Sequence, residues 1–228
     1  MTVEEILTVV RGLLDDKKGA GTPLWSDTEL VEYANEAESR IAEECLVLRD
    51  AVTATDSNSL PVCVIPIATP YTNTFTLHPS ILKVHGVSYG TNRKELTLTS
   101  REALDRAVPT WRTRTGEPGA YAVDITTGQL DIDRVPTAAS NLYLSVSRMP
   151  LTEMSRANLK ASPSIPRMYH RKLVNGIVAR AYQKQDVETM NLDKSRLFGD
   201  KFDRDVEQIK RNEIRFNRRD RTCLRRFY

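Results

Sequence analysis

This sequence of 228 residues is short of the features that mark secreted, membrane-spanning or disulfide-rich proteins. Its three cysteines, Cys45, Cys63 and Cys223, are odd in number and far apart, which argues against a disulfide framework. No apolar run approaches the roughly 20 residues that a membrane-spanning helix requires. The first residues, "MTVEEILTVV", lack the basic lead of a secretory signal. We therefore expect a protein that folds in the cytoplasm where it is made.

The residues that usually carry catalysis are also scarce. The three histidines, His78, His85 and His170, are dispersed, and no cysteine pair has the spacing of metal ligands. No glycine pattern of a nucleophile elbow or of a phosphate-binding loop is present. Cys45 falls on the apolar stripe of a predicted helix, which indicates a buried thiol. We expect no catalytic residues, no metal and no cofactor, and hence not an enzyme.

Two small polar groups were weighed as exceptions. His78 and His85 are seven residues apart, so a continuous strand would point them to opposite faces, and we expect them at the surface or at a sheet edge. Asp124, Asp131 and Asp133 form the best carboxylate group. Paired carboxylates can act as acid and base or bind a hard cation. The alternative, which we favour, is the solvated face of a hairpin.

The basic residues are concentrated near the end of the chain. The net charge is +3, yet residues 209–228 alone hold eight basic and two acidic side chains, a balance of 8 − 2 = +6, which leaves 3 − 6 = −3 for the remainder. Such asymmetry is typical of a segment that binds an acidic partner or phosphates. Three interpretations remain open for this tail: docking on protein, binding of nucleic acid, and simple solvation.

The chain begins with two predicted amphipathic helices. The first has apolar residues at helical spacing, namely Val3, Ile6, Leu7, Val10, Leu13 and Leu14. In the second, Ser26 stands three residues before Glu29 in the order of a capping box. Trp25 precedes this cap, and we expect it to pack near Leu30 as a hydrophobic staple.

A β-rich region follows from about residue 50. Seven short alternating or β-branched runs, separated by Pro, Gly, Asn and Ser, predict strands; they are "VCVIPIA", "NTFTLH", "ILKVHGVSYG", "KELTLT", "AYAVDIT", "QLDIDRV" and "LYLSVSRM". Gly128 is expected in a hairpin turn, because glycine accepts the positive φ of tight turns. A short helix at about 100–107 is predicted after Ser100 as its N-cap.

Two final helices, at about 166–184 and 187–212, complete the predicted architecture. The fold class is α+β, with N- and C-terminal helices forming a helical bundle and a β-rich insert between them. We divide the chain into a bundle (1–50 and 165–209), a β-rich domain (51–149), a linker (150–164) and a basic C-terminal tail (210–228). The residues expected in bundle or inter-subunit packing are Trp25, Tyr33, Tyr169, Leu173, Phe198 and Phe202.

Four segments, in this order, resemble the head-to-tail connector (adaptor) proteins of tailed bacteriophages, the group that includes tail tubular protein A and the gp6-like head-completion proteins. The segments are "WSDTELVEYANEAESRIAEE", "PTWRTRTGEPGAYAVD", "GQLDIDRVPTAASNLYLSVSRMP" and "IPRMYHRKLVNGIVARAYQKQDVETMN". Together they extend over about residues 25–205. Since no single segment is specific for this family, the resemblance depends on the presence of all four segments in this order.

The resemblance implies a structural virion protein that is made in the host cytoplasm and is located at the portal–tail junction. It implies an oligomeric ring, usually of twelve subunits, between the portal protein and a downstream tail or nozzle protein, with DNA passing through the lumen without sequence-specific contacts. The bundle would form the ring body, and the tail would become ordered on the portal. The docking residues expected there are Lys210, Arg211, Arg215, Arg218, Arg219, Arg221, Arg225, Arg226, Phe227 and Tyr228. The alternative function is a nucleic-acid-binding accessory protein that uses the same tail.

Overall fold

The computed structural model describes residues 1–16, 23–69, 71–185 and 190–224, and it describes side chains as far as Phe216. These residues form a mixed α+β structure with five α-helices and two sheets. The chain divides into two compact units, one made of Met1–Leu48 with Thr152–Tyr228 and the other of Arg49–Leu151. Among the helices described, none is long and apolar enough to span a bilayer.

The elements follow the expected order. The helices are α1 (Val3–Leu14), α2 (Asp27–Cys45), α3 (Arg101–Ala107), α4 (Leu173–Ala181) and α5 (Leu192–Leu224), with two short 3₁₀ helices at Arg156–Asn158 and Arg167–Lys172. The strands are β1 (Arg49–Asp50), β2 (Val64–Ile67), β3 (Thr74–Thr76), β4 (Ile81–Tyr89), β5 (Lys94–Glu95), β6 (Thr97–Leu98), β7 (Ala120–Asp124), β8 (Gln129–Ile132) and β9 (Ser140–Arg148).

Side-chain caps define where α1, α2 and α3 begin. Thr2 and Glu5 form a capping box on α1, and Ser26 and Glu29 form the predicted box on α2, in which each side chain binds the backbone N–H of the other. The Ser100 side chain accepts from the N–H of Ala103 at the start of α3. These bonds satisfy donors that a helix start leaves free. The predictions of the Ser26 box and of the Ser100 cap are confirmed.

The C-terminal helices differ from the expected ranges. The segment predicted as a helix from 166 begins as 3₁₀ turns, in which the Pro166 carbonyl accepts from the N–H of Tyr169 at 2.8 Å. Helix α4 starts only at Leu173. Helix α5 does not end near 212 but continues to Leu224, so most of the predicted tail is helical. Arginine is a good helix former, and this favours the continuation.

In the second unit, β9 is the centre of the first sheet. It pairs antiparallel with β1, β2 and β4, and β5 lies at the far edge of β4. The second sheet has the order β3-β8-β7-β6. The β7–β8 hairpin has Gly128 in its turn with φ 65°, as predicted. Each of the seven predicted runs contains a strand, and "KELTLT" contains two.

Arg11 is buried in the helical unit, and its charge is neutralised by two carboxylates. One guanidinium nitrogen donates to Asp16 at 2.6 Å, and the other donates to Asp27 at 2.7 Å and to the carbonyl of Trp25 at 2.9 Å. Asp16 also accepts from the backbone N–H of Trp25. The indole N–H of Trp25 then donates to the Ala181 carbonyl in α4 at 3.0 Å. This network joins the end of α1, the start of α2 and α4.

We predict that Arg11→Ala lowers the free energy of unfolding by about 3–5 kcal/mol, because it leaves buried carboxylate charge without a partner. The measurement is urea unfolding followed by circular dichroism. The matched control is Arg171→Ala, an exposed arginine of the same unit, which we expect to change stability by less than about 0.5 kcal/mol. A loss below about 1 kcal/mol for Arg11→Ala would contradict the assigned role.

Glu38 is a second buried acid, only 1% exposed, and its carboxylate accepts from the backbone N–H of Ile165 at 3.0 Å. Burial raises the pKa of Glu38 above its ordinary value, and hydrogen bonds from Ile165 and Ser164 only partly oppose this. A carboxyl whose pKa is raised on folding holds its proton more tightly in the native state. Stability from this group is therefore full below its unfolded pKa and falls as pH rises toward its folded pKa.

We predict that Glu38→Gln is more stable relative to wild type at pH 7 than at pH 4, because glutamine never has to be ionised in the buried site. Urea unfolding midpoints of both proteins at the two pH values measure the effect. Glu4→Gln, at an exposed position of α1, is the control and is expected to show no such pH-dependent difference. An equal or reversed difference for Glu38→Gln would refute this account.

Candidate docking interface

Helix α5 is longer than the core that it packs against. Its side chains Phe202, Val206 and Ile209 are 4%, 1% and 0% exposed and belong to the core of the helical unit. The last described contact of this face is the hydrogen bond from the Tyr169 hydroxyl to Glu213, at 3.0 Å. Beyond Glu213, Ile214 and Phe216 are 49% and 44% exposed. The C-terminal part of α5 therefore presents apolar side chains that the described core does not cover.

Basic side chains flank this exposed part of the helix. Among the described residues, the one ion pair of Lys210 is a long one with Glu207, at 4.0 Å, while Arg211 and Arg215 are exposed. The remaining predicted docking side chains lie outside those that the structure describes; they are Arg218, Arg219, Arg221, Arg225, Arg226, Phe227 and Tyr228. Sequence analysis did not single out Ile214, although it stands next to Arg215 on the same helix.

The six predicted packing residues lie together in the helical unit. Trp25, Tyr169, Leu173 and Phe202 are buried, and Tyr33 and Phe198 are partly buried against the same cluster. An aromatic chain links several of them, because the Tyr182 ring contacts Trp25 edge-on at 6.1 Å and stacks on Phe198 at 6.3 Å. These aromatic groups position α5 against the start of α2 and the end of α4.

The carboxylate group near the β7–β8 hairpin serves the structure of the hairpin. Asp131 is buried, accepts from Thr74 at 2.8 Å and pairs with Arg101, which also approaches Asp124 at 3.6 Å. Asp133 accepts from the backbone N–H of Gly119 at 2.8 Å. The expected solvated face is wrong for Asp131, because the Arg101 side chain covers it. In the parts of the chain that the structure describes, no three His, Cys, Asp or Glu residues form a metal-binding group.

The described cysteines are buried thiols. Burial raises the pKa of Cys45 to about 11 and that of Cys63 to about 12, so neither is a thiolate at neutral pH. The prediction of a buried Cys45 is confirmed.

His78 and His85 differ in their surroundings. His85 is exposed on β4, as expected, and its ring bonds the Ser147 hydroxyl at 2.8 Å.

The His78 side chain is only 8% exposed, which contradicts the expected surface position. Its ring lies between Ser80, at 2.7 Å, and Asp56, at 3.2 Å. This Ser–His–Asp order resembles a nucleophile relay, yet Ser80 also donates its backbone N–H to the ring, and Asp56 binds the backbone of residues 58 and 60. The group therefore fastens a loop to the start of β4.

One comparison bears on the whole chain. The family model of the SU10 adaptor proteins matches residues 1–223, which include both units and α5 almost to its end. The chain belongs to the SU10 adaptor protein family. No match was found among curated proteins. This adaptor is thus a bacteriophage structural protein and a component of the virion. Its closer grouping with tail tubular protein A and the gp6-like proteins stays a prediction.

The hydroxyl of Tyr169 is the last described anchor of the adaptor's α5. Burial, followed by the hydrogen bond to Glu213, raises the pKa of Tyr169 well above its usual range, so the hydroxyl stays a donor at every physiological pH. We predict that Tyr169→Phe speeds amide hydrogen exchange in residues 210–216 about fivefold, as expected for the loss of about 1 kcal/mol. Mass spectrometry of exchanged peptides measures it.

The control is Tyr33→Phe, whose hydroxyl makes no hydrogen bond with the residues that the structure describes. This variant is expected to leave exchange in 210–216 unchanged. Unchanged exchange in Tyr169→Phe as well would show that Ile209, and not Glu213, is the last effective anchor of α5.

Proposed function

We propose that this adaptor forms a ring that joins the portal of a tailed bacteriophage to its tail, with DNA passing through the lumen. The observation that carries the proposal is the family match over residues 1–223, because it covers the chain as a whole and is not confined to one motif. Twelve subunits are proposed from the resemblance of the four sequence segments. The partners are the portal protein on one side and a downstream tail or nozzle protein on the other.

In this proposal, the helices of the first unit form a bundle that serves as the body of the ring. The buried aromatic and aliphatic side chains of α1, α2, α4 and α5 support a rigid body, since they belong to one continuous core. The second unit, with its two sheets, is proposed to face the outside or the tail side. Short loops between strands suit contacts with further proteins.

The C-terminal part of α5 is proposed to dock on the portal. Ile214 and Phe216 supply apolar surface, and Arg211 and Arg215 supply charge beside it. The proposed docking set is completed by Lys210, Arg218, Arg219, Arg221, Arg225, Arg226, Phe227 and Tyr228. Arginine forks pair bidentately with carboxylates, so an acidic groove on the portal would fit this segment.

The helical backbone of this segment revises the expectation that the tail becomes ordered only on the portal. The described backbone is already helical as far as Leu224. A preformed helix loses less conformational entropy on docking than a coil does. Control of assembly would then depend on complementarity of the two surfaces rather than on folding of the tail.

We predict that a variant ending at Glu213 folds with a melting temperature within a few degrees of the full chain but fails to dock on cognate portal rings. The deletion spares Ile209 and the Tyr169–Glu213 bond, so the core stays intact. Native mass spectrometry of the protein alone and mixed with portal rings makes the measurement. The full chain is expected to add as a multimeric ring.

The control variant keeps the full chain and replaces three exposed arginines elsewhere in the helical unit, Arg171, Arg196 and Arg204, with glutamine. It lowers the total charge but should still dock. Docking by the truncated chain would contradict the role of α5. A full chain that ignores portal at physiological salt and binds DNA instead would favour the alternative, a nucleic-acid-binding accessory protein.

A further inference from the structure

The second unit contains a cleft of about 420 Å³ beside strands β4, β5, β6 and β9. Its apolar lining includes the buried residues Val87, Leu96 and Leu144 and the side chain of Leu98, which is 64% exposed. Arg93 and Tyr143 also line it. A cleft of this size, lined by polar and apolar residues in similar measure, is within the usual range of ligand sites.

Arg93 stands in a backbone conformation that arginine rarely adopts. Its φ is 47°, in the left-handed region, and its N–H closes a turn onto the Gly90 carbonyl at 3.1 Å. Glycine or asparagine would occupy this position with less strain. Strained non-glycine positions reduce stability and concentrate at binding sites. The turn therefore has an arginine at a position where the backbone conformation favours glycine or asparagine.

The strained turn directs the Arg93 guanidinium over the ring of Tyr143, with 4.4 Å between the guanidinium carbon and the ring centroid. Stacking fixes the plane of the guanidinium and leaves its N–H groups free to bind in that plane. Among the described residues, no carboxylate lies within ion-pair distance of Arg93. Glu95 also lines the cleft, and it forms no such pair.

A second stacked arginine in the same unit shows what Arg93 lacks. Arg112 lies over Trp111 at the same 4.4 Å, and its guanidinium donates to Asp105 at 2.5 Å. Asp105 also accepts from the indole N–H of Trp111 at 2.8 Å. Arg112 is thus stacked and neutralised, whereas Arg93 is stacked beside a cleft and forms no ion pair with a described carboxylate.

The surroundings of the cleft carry charges of both signs. His85 lines it, and partial burial of its ring, followed by the nearby charges of Arg49 and Lys83, lowers the pKa of His85. Arg49 and Lys83 add positive charge near His85, whereas Glu95 adds negative charge to the lining. Strand β4 also has a bulge between Val84 and Gly86 at the cleft wall, an irregularity that is frequent next to binding sites.

The borders of the cleft suit an extended chain. Strand β5 ends the first sheet and β6 ends the second, and both contribute residues to the cleft. Edge strands offer unpaired backbone groups to an added strand, and side-chain pockets then select the sequence. Leu98 on β6 gives the added strand an apolar neighbour.

We propose that this cleft binds an extended segment of a partner protein, with a Glu or Asp carboxylate on Arg93 and a neighbouring apolar side chain against Leu98. The planar, stacked guanidinium supplies a bidentate fork for the carboxylate. This site goes beyond portal docking by α5 and does not depend on it.

DNA is a poorer occupant on the same observations. A polyanion needs several cations along its path. Here, the cleft itself offers Arg93 together with the carboxylate of Glu95, and Glu117, which pairs with Lys94 at 3.1 Å, is a further exposed acid near the turn. A single carboxylate between apolar side chains avoids the repulsion that consecutive phosphates would meet.

The test measures fluorescence anisotropy of a labelled, end-blocked peptide, Gly-Leu-Glu-Leu-Gly, titrated with the full-length protein. The same peptide with Gln in place of Glu is the ligand control. We expect the Glu peptide to bind at least about tenfold more tightly, and Arg93→Gln to remove that preference. Tyr143→Leu should weaken binding, while Tyr143→Phe, which keeps the ring, should preserve it.

Arg112→Gln is the matched protein control, since it removes a stacked arginine that already has its carboxylate, and it should leave peptide affinity within about twofold. Arg93→Gly separates binding from folding, because it relieves the positive φ. The Arg93→Gly variant should lose binding of the Glu peptide, while its melting temperature stays within a few degrees of wild type.

Absence of a Glu preference in wild type, or binding that survives Arg93→Gln, would overturn the proposal. Tighter binding of a labelled oligothymidine through Arg93 would overturn it in favour of nucleic acid.

Discussion

The guanidinium of Arg11 is buried at the end of α1, where its charge must be balanced inside the protein. Asp16 and Asp27 balance it, and the Trp25 carbonyl accepts a further hydrogen bond. Removing either the arginine or its carboxylate partners would leave a buried charge unpaired, so these positions are interdependent. Trp25 connects this network to α4, because its indole N–H donates to the carbonyl of Ala181, 156 residues away in sequence. The N-terminal helices and the C-terminal helices are thereby one unit, although residues 49–151 separate them in sequence.

Helix α5 extends from that unit beyond the core that the structure describes. Its first part is fixed by contacts such as Phe202 and Val206 in the core. The part beyond Glu213 keeps the same helical backbone but exposes Ile214 and Phe216. Isolated helices of this length are marginal in water without packing, so the extension depends on the anchored turns before it. The anchored portion thus presents the exposed portion in one direction, as a docking element requires.

Local signals were sufficient for the parts of the fold that local chemistry determines. The Ser26–Glu29 box, the Ser100 cap and the Gly128 turn each depend on residues within a few positions, and each was readable from the sequence. The end of α5 was misjudged because the apolar pattern ends at Ile209, whereas arginine continues the helix by propensity. Pairing of β9 with three strands involves distant residues, which a single sequence does not specify. The burial of Asp131 under Arg101 was missed for the same reason.

The cleft beside Arg93 was also hidden from sequence reasoning, since Tyr143 is 50 positions away and a positive φ at arginine has no local signature. The two proposed surfaces differ in physical character. The end of α5 joins many basic residues of the sequence to a little apolar area, which favours fast and general attraction to an acidic partner. The cleft has one guanidinium that is oriented by the Tyr143 ring, and correct placement of one carboxylate there matters more than total charge. In these proposals, the helical unit attracts an acidic partner through its total charge, and the second unit selects a partner segment by the position of one carboxylate.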